Sequence, residues 1–238
     1  MKIQTYNILH GMDYSTKVID LSKTADTVKA ISPDILVLNE VRGRGPLLGY
    51  TDQAREIAKY LGMNYYFAPS IMVGGTSPYG NAIMSRFPIT NTKCIPIPDP
   101  KVKRKGGRYE TRSVICADIL TPEGALKVYG THFGLEEDEQ ANALATVREL
   151  IKNGPAVLMG DLNTEPNSRI IHGLKEFLFD TGELIAPCKK SYPSYSPDVK
   201  IDYIFTTGDI EVLNADIIPM GYSDHLPYWA EIKLPGTK

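Results

Sequence analysis

The stretch Ala156-Val157-Leu158-Met159-Gly160-Asp161-Leu162-Asn163 decides the fold class. Ala156 to Met159 is a short apolar run bounded by Gly154-Pro155 in front and Gly160 behind, the pattern of a buried strand. Ahead of it, Asp138 to Ile151 has the spacing of a helix, with Glu136, Glu137, Asp138 and Glu139 at the end where the helix dipole favours acids. Leu126 to Thr131, before that, is a further short strand. Strand, helix, strand is an α/β unit. The polar residues Asp161 and Asn163 stand where its second strand runs out.

The N-terminal part repeats this logic. Lys2 to Leu9 reads as a strand, and Val18, Leu21, Ala25, Val28 and Ile31 recur at helical spacing before Pro33 closes the helix. Ile35 to Leu38 is a second buried strand, with Glu40 just beyond it, and Asp52 to Leu61 fits another helix. In the middle, Tyr65 to Ala68, Ala82 to Met84 and Ser113 to Leu120 read as strands. Ile71 to Pro78 and Asp99 to Arg108 read as loops. A short helix fits Ser168 to Glu176, followed by strands near Asp202 to Phe205, Ile210 to Ile218 and Pro227 to Leu234. Several strands follow one another with no room for a helix, so the sheets are expected to be mixed. Two of them face to face, with helices outside, accommodate this many strands. No internal repeat or linker interrupts the chain, and residues 1–238 are expected to form a single catalytic domain.

Composition bounds the function. The hydrophobic share is 42%, the charged share 23% and the net charge -2, which excludes a wholly cationic nucleic-acid binder. The densest basic run, Lys101-Val102-Lys103-Arg104-Lys105-Gly106-Gly107-Arg108, reads first as a solvated loop and second as a device to steer a polyanion. Cys94, Cys116 and Cys188 are too few and too scattered for a disulfide framework or a zinc site; Cys94 and Cys116 are expected to be buried thiols. The N-terminus has no apolar signal core and no segment is long enough to span a bilayer. The expectation is a cytoplasmic monomer.

The polar residues share a position. Asn7, Glu40, His132, Asp161 and Asn163 each follow a strand, where open α/β sheets build their sites. Asp202, Asp224 and His225 precede strands. If the late strands run antiparallel to the early ones, all eight lie on one rim. Singly, each has a plainer account: Asn7 as a turn former, Glu40 as a surface carboxylate, Asp161 and Asn163 as an Asx turn, His132 as a core histidine. Together the plain accounts leave the shared position unexplained. The rim offers hard oxygen ligands, suited to magnesium, manganese or calcium, and two imidazoles that can donate protons to phosphate. There is no GxSxG elbow, Walker loop or GxGxxG turn.

Thr5-Tyr6-Asn7-Ile8, Asn39-Glu40-Val41, Gly80-Asn81-Ala82-Ile83-Met84-Ser85, Thr131-His132-Phe133, Gly160-Asp161-Leu162-Asn163, Ile201-Asp202-Tyr203-Ile204 and Ser223-Asp224-His225 occur in this order. The ordered set resembles the endonuclease/exonuclease/phosphatase superfamily over nearly the whole chain. The resemblance implies a four-layer α/β sandwich, with two mixed β-sheets packed face to face and helices outside. It implies a magnesium ion (manganese as the alternative) held by Glu40 and Asn7, with Asp224 in support. Asp161 would orient and deprotonate the attacking water, with Asn163 beside it. His225 would hold a phosphate oxygen, with Asp202 fixing its ring, and His132 would contact the phosphate or assist the leaving group. Arg112 and Asn81 would bind substrate.

Ile8-Leu9-His10 stands where AP endonucleases carry an acidic residue, and Thr131-His132 has no counterpart in them, which points away from that branch. The expected activity is magnesium-dependent hydrolysis of a phosphate ester by direct water attack, diesters ahead of monoesters. Nucleic acid, phospholipid head groups and small phosphorylated metabolites all stay open as substrates. The rival reading is a non-catalytic phosphate- or nucleic-acid-binding module on the same fold.

Overall fold

The structure is a computed structural model that describes residues 1–47 and 49–236. Among the described residues, twelve strands form two six-stranded sheets. The first sheet contains β1 (Lys2–Asn7), β2 (Ile35–Arg42), β3 (Asn64–Val73), β4 (Ser77–Ser85), β11 (Glu211–Ile217) and β12 (Tyr228–Lys233), in the order β11-β12-β1-β2-β4-β3. The second contains β5 (Ile89–Pro96), β6 (Ser113–Thr121), β7 (Gly124–His132), β8 (Ala156–Asp161), β9 (Phe179–Asp180) and β10 (Asp202–Thr206), in the order β5-β6-β7-β8-β10-β9. One parallel pair, β1 with β2 and β7 with β8, lies inside each sheet, and the flanking pairs are antiparallel. Both sheets are therefore mixed, as expected.

Four helices cover the outer faces. α1 (Leu21–Ile31) and α2 (Gln53–Leu61) pack on the first sheet, and α3 (Glu137–Leu150) and α4 (Arg169–Lys175) on the second. Helix α1 begins later than the apolar spacing suggests because Asp20 caps it, accepting from the Ser22 and Lys23 amides. Val18 is left in the preceding loop, exposed. Helix α3 starts with a capping box of Glu136 and Glu139.

Continuous apolar strands follow from this layering. Ile35 and Val37 face the layer between the sheets, against Ile115, Val128, Val157, Met159 and Ile204. Leu36 and Leu38 face the other way, onto Val28, Ala54 and Ile57 of α1 and α2. A strand buried on both faces shows no polar alternation. Each such side chain contributes about 1.5–3 kcal/mol of burial.

Two expectations need correction, and one strand is new. Cys94 is exposed, not buried: β5 is an edge strand and presents it to solvent. Ile71 to Pro78 is not a loop but the end of a hairpin, in which Ile71, Met72 and Val73 pair with Tyr79, Pro78 and Ser77; only Gly74-Gly75-Thr76 turns. The short edge strand β9 was not expected, since two residues carry no periodicity. Among the described residues, no helix is long and apolar enough to cross a membrane.

One buried cation has a measurable consequence. The Lys200 ammonium is buried 3.5 Å from Asp180 Oδ1 and 3.4 Å from the centre of the Tyr203 ring. Burial lowers its pKa to about 8, and the nearby Asp180 charge offsets this only in part. Between pH 8 and 10.5 the unfolded chain thus holds the proton that the folded chain has released, so stability rises with pH across that window. Wild-type melting temperature should rise relative to Lys200→Met from pH 8 to 10.5; a constant or falling difference would contradict the assignment.

Candidate active site

The site is the open end of the layer between the sheets. The columns of side chains that fill this layer end in polar groups. Ile3 leads along β1 to Asn7, Ile35 and Val37 along β2 to Asn39, and Ile83 along β4 to Asn81. In the second sheet Val128 leads to His132, Val157 and Met159 to Asp161, and Ile204 to Asp202. β10 runs antiparallel to β8 with Asp202 directly opposite Asp161, and β12 runs antiparallel to β1. The late strands therefore bring their leading residues to the same rim as the early strands' ends.

Glu40 reaches this rim by a distortion. Alternation along β2 would send it toward the helices with Leu36 and Leu38. A bulge between Leu38 and Val41 breaks the register with β4, and Glu40 takes φ 60. A positive φ at a non-glycine residue is strained, and such strain gathers at functional positions. Gly160 solves a related problem: at φ 152, an added Cβ would lie 1.8 Å from the Thr131 carbonyl, so only glycine lets β8 approach β7 this closely.

Asp161 is the hub, and its side chain is buried. Its Oδ2 accepts from Asn7 Nδ2 at 3.1 Å, and lies 3.4 Å from His132 Nε2 and 3.5 Å from His225 Nε2. Its Oδ1 accepts from the Asn163 amide at 2.9 Å. Asn7 Nδ2 also donates to Glu40 Oε1 at 3.1 Å, while its Oδ1 accepts from the Leu9 amide. Asp202 Oδ2 holds His225 Nδ1 at 2.9 Å. Asn163 donates to the Phe133 carbonyl and points the same amide nitrogen at His132 Nε2, 2.9 Å away. Arg112 Nη1 sits 3.4 Å from His132 Nδ1 and 2.5 Å from Glu110.

The two imidazoles are driven to opposite charge states. Burial alone would lower the His225 pKa, but the Asp202 and Asp161 carboxylates outweigh it and raise it to about 10. His132 is held well below its ordinary value by burial, reinforced by the charges of Arg112 and His225. Burial raises Asp161 to about 7, opposed by the His225 charge and aided by Asp202. At neutral pH the site thus contains an imidazolium, a neutral imidazole and a carboxylate poised to take a proton.

Every residue expected on the rim is there. Asp224 is the least integrated: its Oδ1 accepts from Ser223 Oγ at 3.1 Å. Asn81 is buried and its Oδ1 accepts from Asn39 Nδ2 at 2.8 Å; its Nδ2 is buried without a partner among the described residues. The Lys101–Arg108 run is an exposed loop in which Lys103 pairs with Asp99 and Arg104 with Glu136, the solvated arrangement. A cavity of about 820 Å³ elsewhere, lined by Arg44, Tyr50, Arg55 and Lys59 along α2, shares no residue with the rim.

Sequence reasoning assigned no role to Asn39, Tyr79 or Tyr192. Asn39 is fully buried. It donates to the Thr131 carbonyl at 2.9 Å and to Asn81, and accepts from the Asp161 amide at 3.0 Å, so it fixes β8 to β2 across the layer. A polar residue closing an apolar strand next to Glu40 was the available signal. Tyr79 donates to Glu40 Oε2 at 2.8 Å, and the Tyr192 ring lies 4.9 Å from that of His225; neither carries a local signature.

The donor set fits a hard divalent cation. Glu40, Asp161, Asp202 and Asp224 face a short supply of positive charge, and the available ligands are oxygens. Asp161, Asp202 and His225 bring one ligand atom each within 4.8 Å of one another. His225 Nδ1 already pairs with Asp202 Oδ2 at 2.9 Å, which makes this trio a hydrogen-bonded network rather than an open ligand set. Glu40, joined to Asp161 through Asn7, is the better anchor.

A two-sheet α/β sandwich with carboxylates, amides and paired histidines on one rim defines a class of phosphoesterase folds. The chain belongs to the Endonuclease/Exonuclease/phosphatase family, whose model matches residues 5–225. Members of this family are hydrolases of phosphate esters and generally use a divalent metal. The chain is 26% identical to the uncharacterized protein YbhP of Escherichia coli strain K12 over 98% of its own length and 96% of that protein. It superposes with TM-score 0.80 on an endonuclease/exonuclease/phosphatase from Beutenbergia cavernae, at 25% identity, covering 99% of this chain and 72% of the other. A Bacteroides thetaiotaomicron mannosyl-6-phosphatase has TM-score 0.80 at 19% identity (98% and 100% covered). The human Nocturnin catalytic domain with bound sulfate has TM-score 0.74 at 19% identity (98% and 93% covered).

Proposed function

We propose that this chain hydrolyses phosphate esters, diesters ahead of monoesters, by direct attack of water on phosphorus. The observation that carries the proposal is the buried Asp161 carboxylate, whose Oδ2 lies 3.1 Å from Asn7 Nδ2, 3.4 Å from His132 Nε2 and 3.5 Å from His225 Nε2, with burial pushing its pKa up. A general base works best with a pKa near the operating pH. Asp161 takes the proton from the attacking water, and the amides of Asn163 and Asn7 hold its carboxylate in place. His225, its Nδ1–H committed to Asp202, offers Nε2–H to a phosphoryl oxygen as charge grows there. His132 and Arg112 line the same rim, Arg112 supplying a fixed positive charge for the phosphate and His132 a neutral contact beside it. Asn81 offers its free buried N–H to the substrate.

Glu40 and Asn7, with Asp224 in support, would hold magnesium or manganese, which when bound neutralises charge on the phosphoryl and leaving oxygens. The sulfate bound by Nocturnin's catalytic domain and the phosphatase activity named for the Bacteroides protein are in keeping with a phosphate-ester substrate. A non-catalytic binding module has no use for a base held near neutrality, and the chain retains Asp161, His225 and Glu40 together.

Direct attack has a stereochemical signature. Hydrolysis of one diastereomer of a phosphorothioate diester in isotopically labelled water should invert configuration at phosphorus. Retention would mean a covalent enzyme intermediate and contradict the proposal.

A further inference from the structure

Beside His225 the rim carries an ordered group of tyrosines that the chemistry above does not use. Tyr192 packs against the His225 ring at 4.9 Å, tilted by 48°. Tyr14 and Tyr195 stack almost parallel, 5.7 Å between centres and 2° between planes. Tyr195 lies three residues beyond Tyr192 on the same turn, and Tyr14 stacks on it. The tyrosines thus lead outward from the phosphate-binding end of the site to solvent.

The group is held in place by the His225 segment itself. The Tyr14 amide donates to the Tyr222 carbonyl at 2.6 Å. The Ser194 amide donates to the Asp224 carbonyl at 2.6 Å and Ser194 Oγ to the Ser223 carbonyl at 2.7 Å. A bridge between Tyr192 and Val199 closes the turn that carries Tyr195. Two loops distant in sequence are therefore clamped onto residues 222–224, next to His225. Lys17 lies 3.8 Å from the centre of the Tyr14 ring. With Lys17 and Tyr195 both packed on it, Tyr14 has little face to offer. The free aromatic surface is that of Tyr195, which is 71% exposed.

A tyrosine left this open gains little from burial, so packing alone does not account for the stack. Aromatic faces bind sugar and base rings by stacking, with the hydroxyl left in water. We infer that Tyr195, supported by Tyr14 and Tyr192, is a specificity-determining platform for a ring-bearing group esterified to the phosphate, a sugar or a nucleoside. The inference rests on the phosphate-ester reading above and names its substrate class: esters of cyclic alcohols over those of short open-chain alcohols.

Binding to the Asp161→Asn protein, which does not consume the ligands, tests this by calorimetry in the presence of magnesium. The probes are adenosine 5′-monophosphate, glucose 6-phosphate and glycerol 3-phosphate. At least one ring phosphate should bind about tenfold more tightly than glycerol 3-phosphate, and which one does so separates base from sugar. Adding Tyr195→Ala should bring that ligand to parity with glycerol 3-phosphate and leave glycerol 3-phosphate unchanged, while Tyr195→Phe keeps the preference. Equal binding of all three ligands, or an equal loss for all three in Tyr195→Ala, would overturn the platform and leave the phosphate site standing. Failure of all three to bind would overturn the platform, while the phosphate-ester reading stands or falls separately on turnover of diesters and monoesters.

Discussion

Asp161→Asn lowers kcat/KM for a phosphate ester by about a thousandfold or more while the protein stays folded. The substitution keeps the shape and retains an oxygen for the Asn163 amide, now 2.9 Å from Oδ1. It removes the buried carboxylate that touches Asn7, His132 and His225 together. A side-chain amide cannot accept the proton of the attacking water, so the loss falls on turnover rather than on substrate affinity. Steady-state kinetics and a thermal melt check both halves. Near-normal turnover in a folded variant would remove Asp161 from its role as base and leave the site without one.

The second large effect is expected at a residue that never meets the substrate. Asp202→Asn should lower kcat/KM by about a hundredfold to a thousandfold at neutral pH. Asp202 is fully buried and holds His225 Nδ1 at 2.9 Å. Its charge is the largest influence that offsets the effect of burial on His225 and raises its pKa to about 10. Without that charge, burial dominates and the pKa falls. In the wild type the imidazolium persists throughout the neutral range, so it imposes no loss of rate there as pH rises. In Asp202→Asn the proton is lost as pH rises through the lowered pKa, and the rate falls with it. A pH–rate profile displaced to acid would distinguish this positioning role from simple structural damage, which would lower the profile without moving it. An unshifted profile would contradict the role given to the Asp202–His225 pair.

Much of this arrangement was legible in the chain. The alternation of Leu126–Thr131, Asp138–Ile151 and Ala156–Met159 established the α/β class, because short apolar runs and helical spacing are local properties. The rim was legible because Asn7, His132 and Asp161 each end a strand and Glu40 follows the apolar run Ile35–Leu38. The face on which each residue lies was not legible. Strands β1, β2 and β8 are buried on both sides, so their sequences do not alternate between apolar and polar and do not mark the inward face. For the same reason Asn39, which ties Asp161 to the first sheet, looked like one more polar residue beside Glu40.

Glu40 shows the limit from the other side. Simple alternation would have placed its side chain among the helices, and only the bulge at Leu38–Val41 turns it onto the rim. A bulge depends on the pairing with β4, a partner more than forty residues away in sequence, and has no local signature here. Cys94 was misread for a similar reason. Its place at the edge of a sheet depends on which strands pair, and the sequence around it does not show that. The tyrosines beside His225 come from loops far apart in the chain, and their convergence is a property of the assembled fold.

The most direct measurement is hydrolysis of phosphate esters, from DNA and RNA to phospholipids and small sugar phosphates, with magnesium or with a chelator, in the wild type and in Asp161→Asn. The account predicts turnover of at least one substrate that is lost with the chelator, returns when magnesium is restored, and is absent from the variant. Turnover indifferent to both chelator and substitution, or none on any ester from well-folded protein, would contradict it.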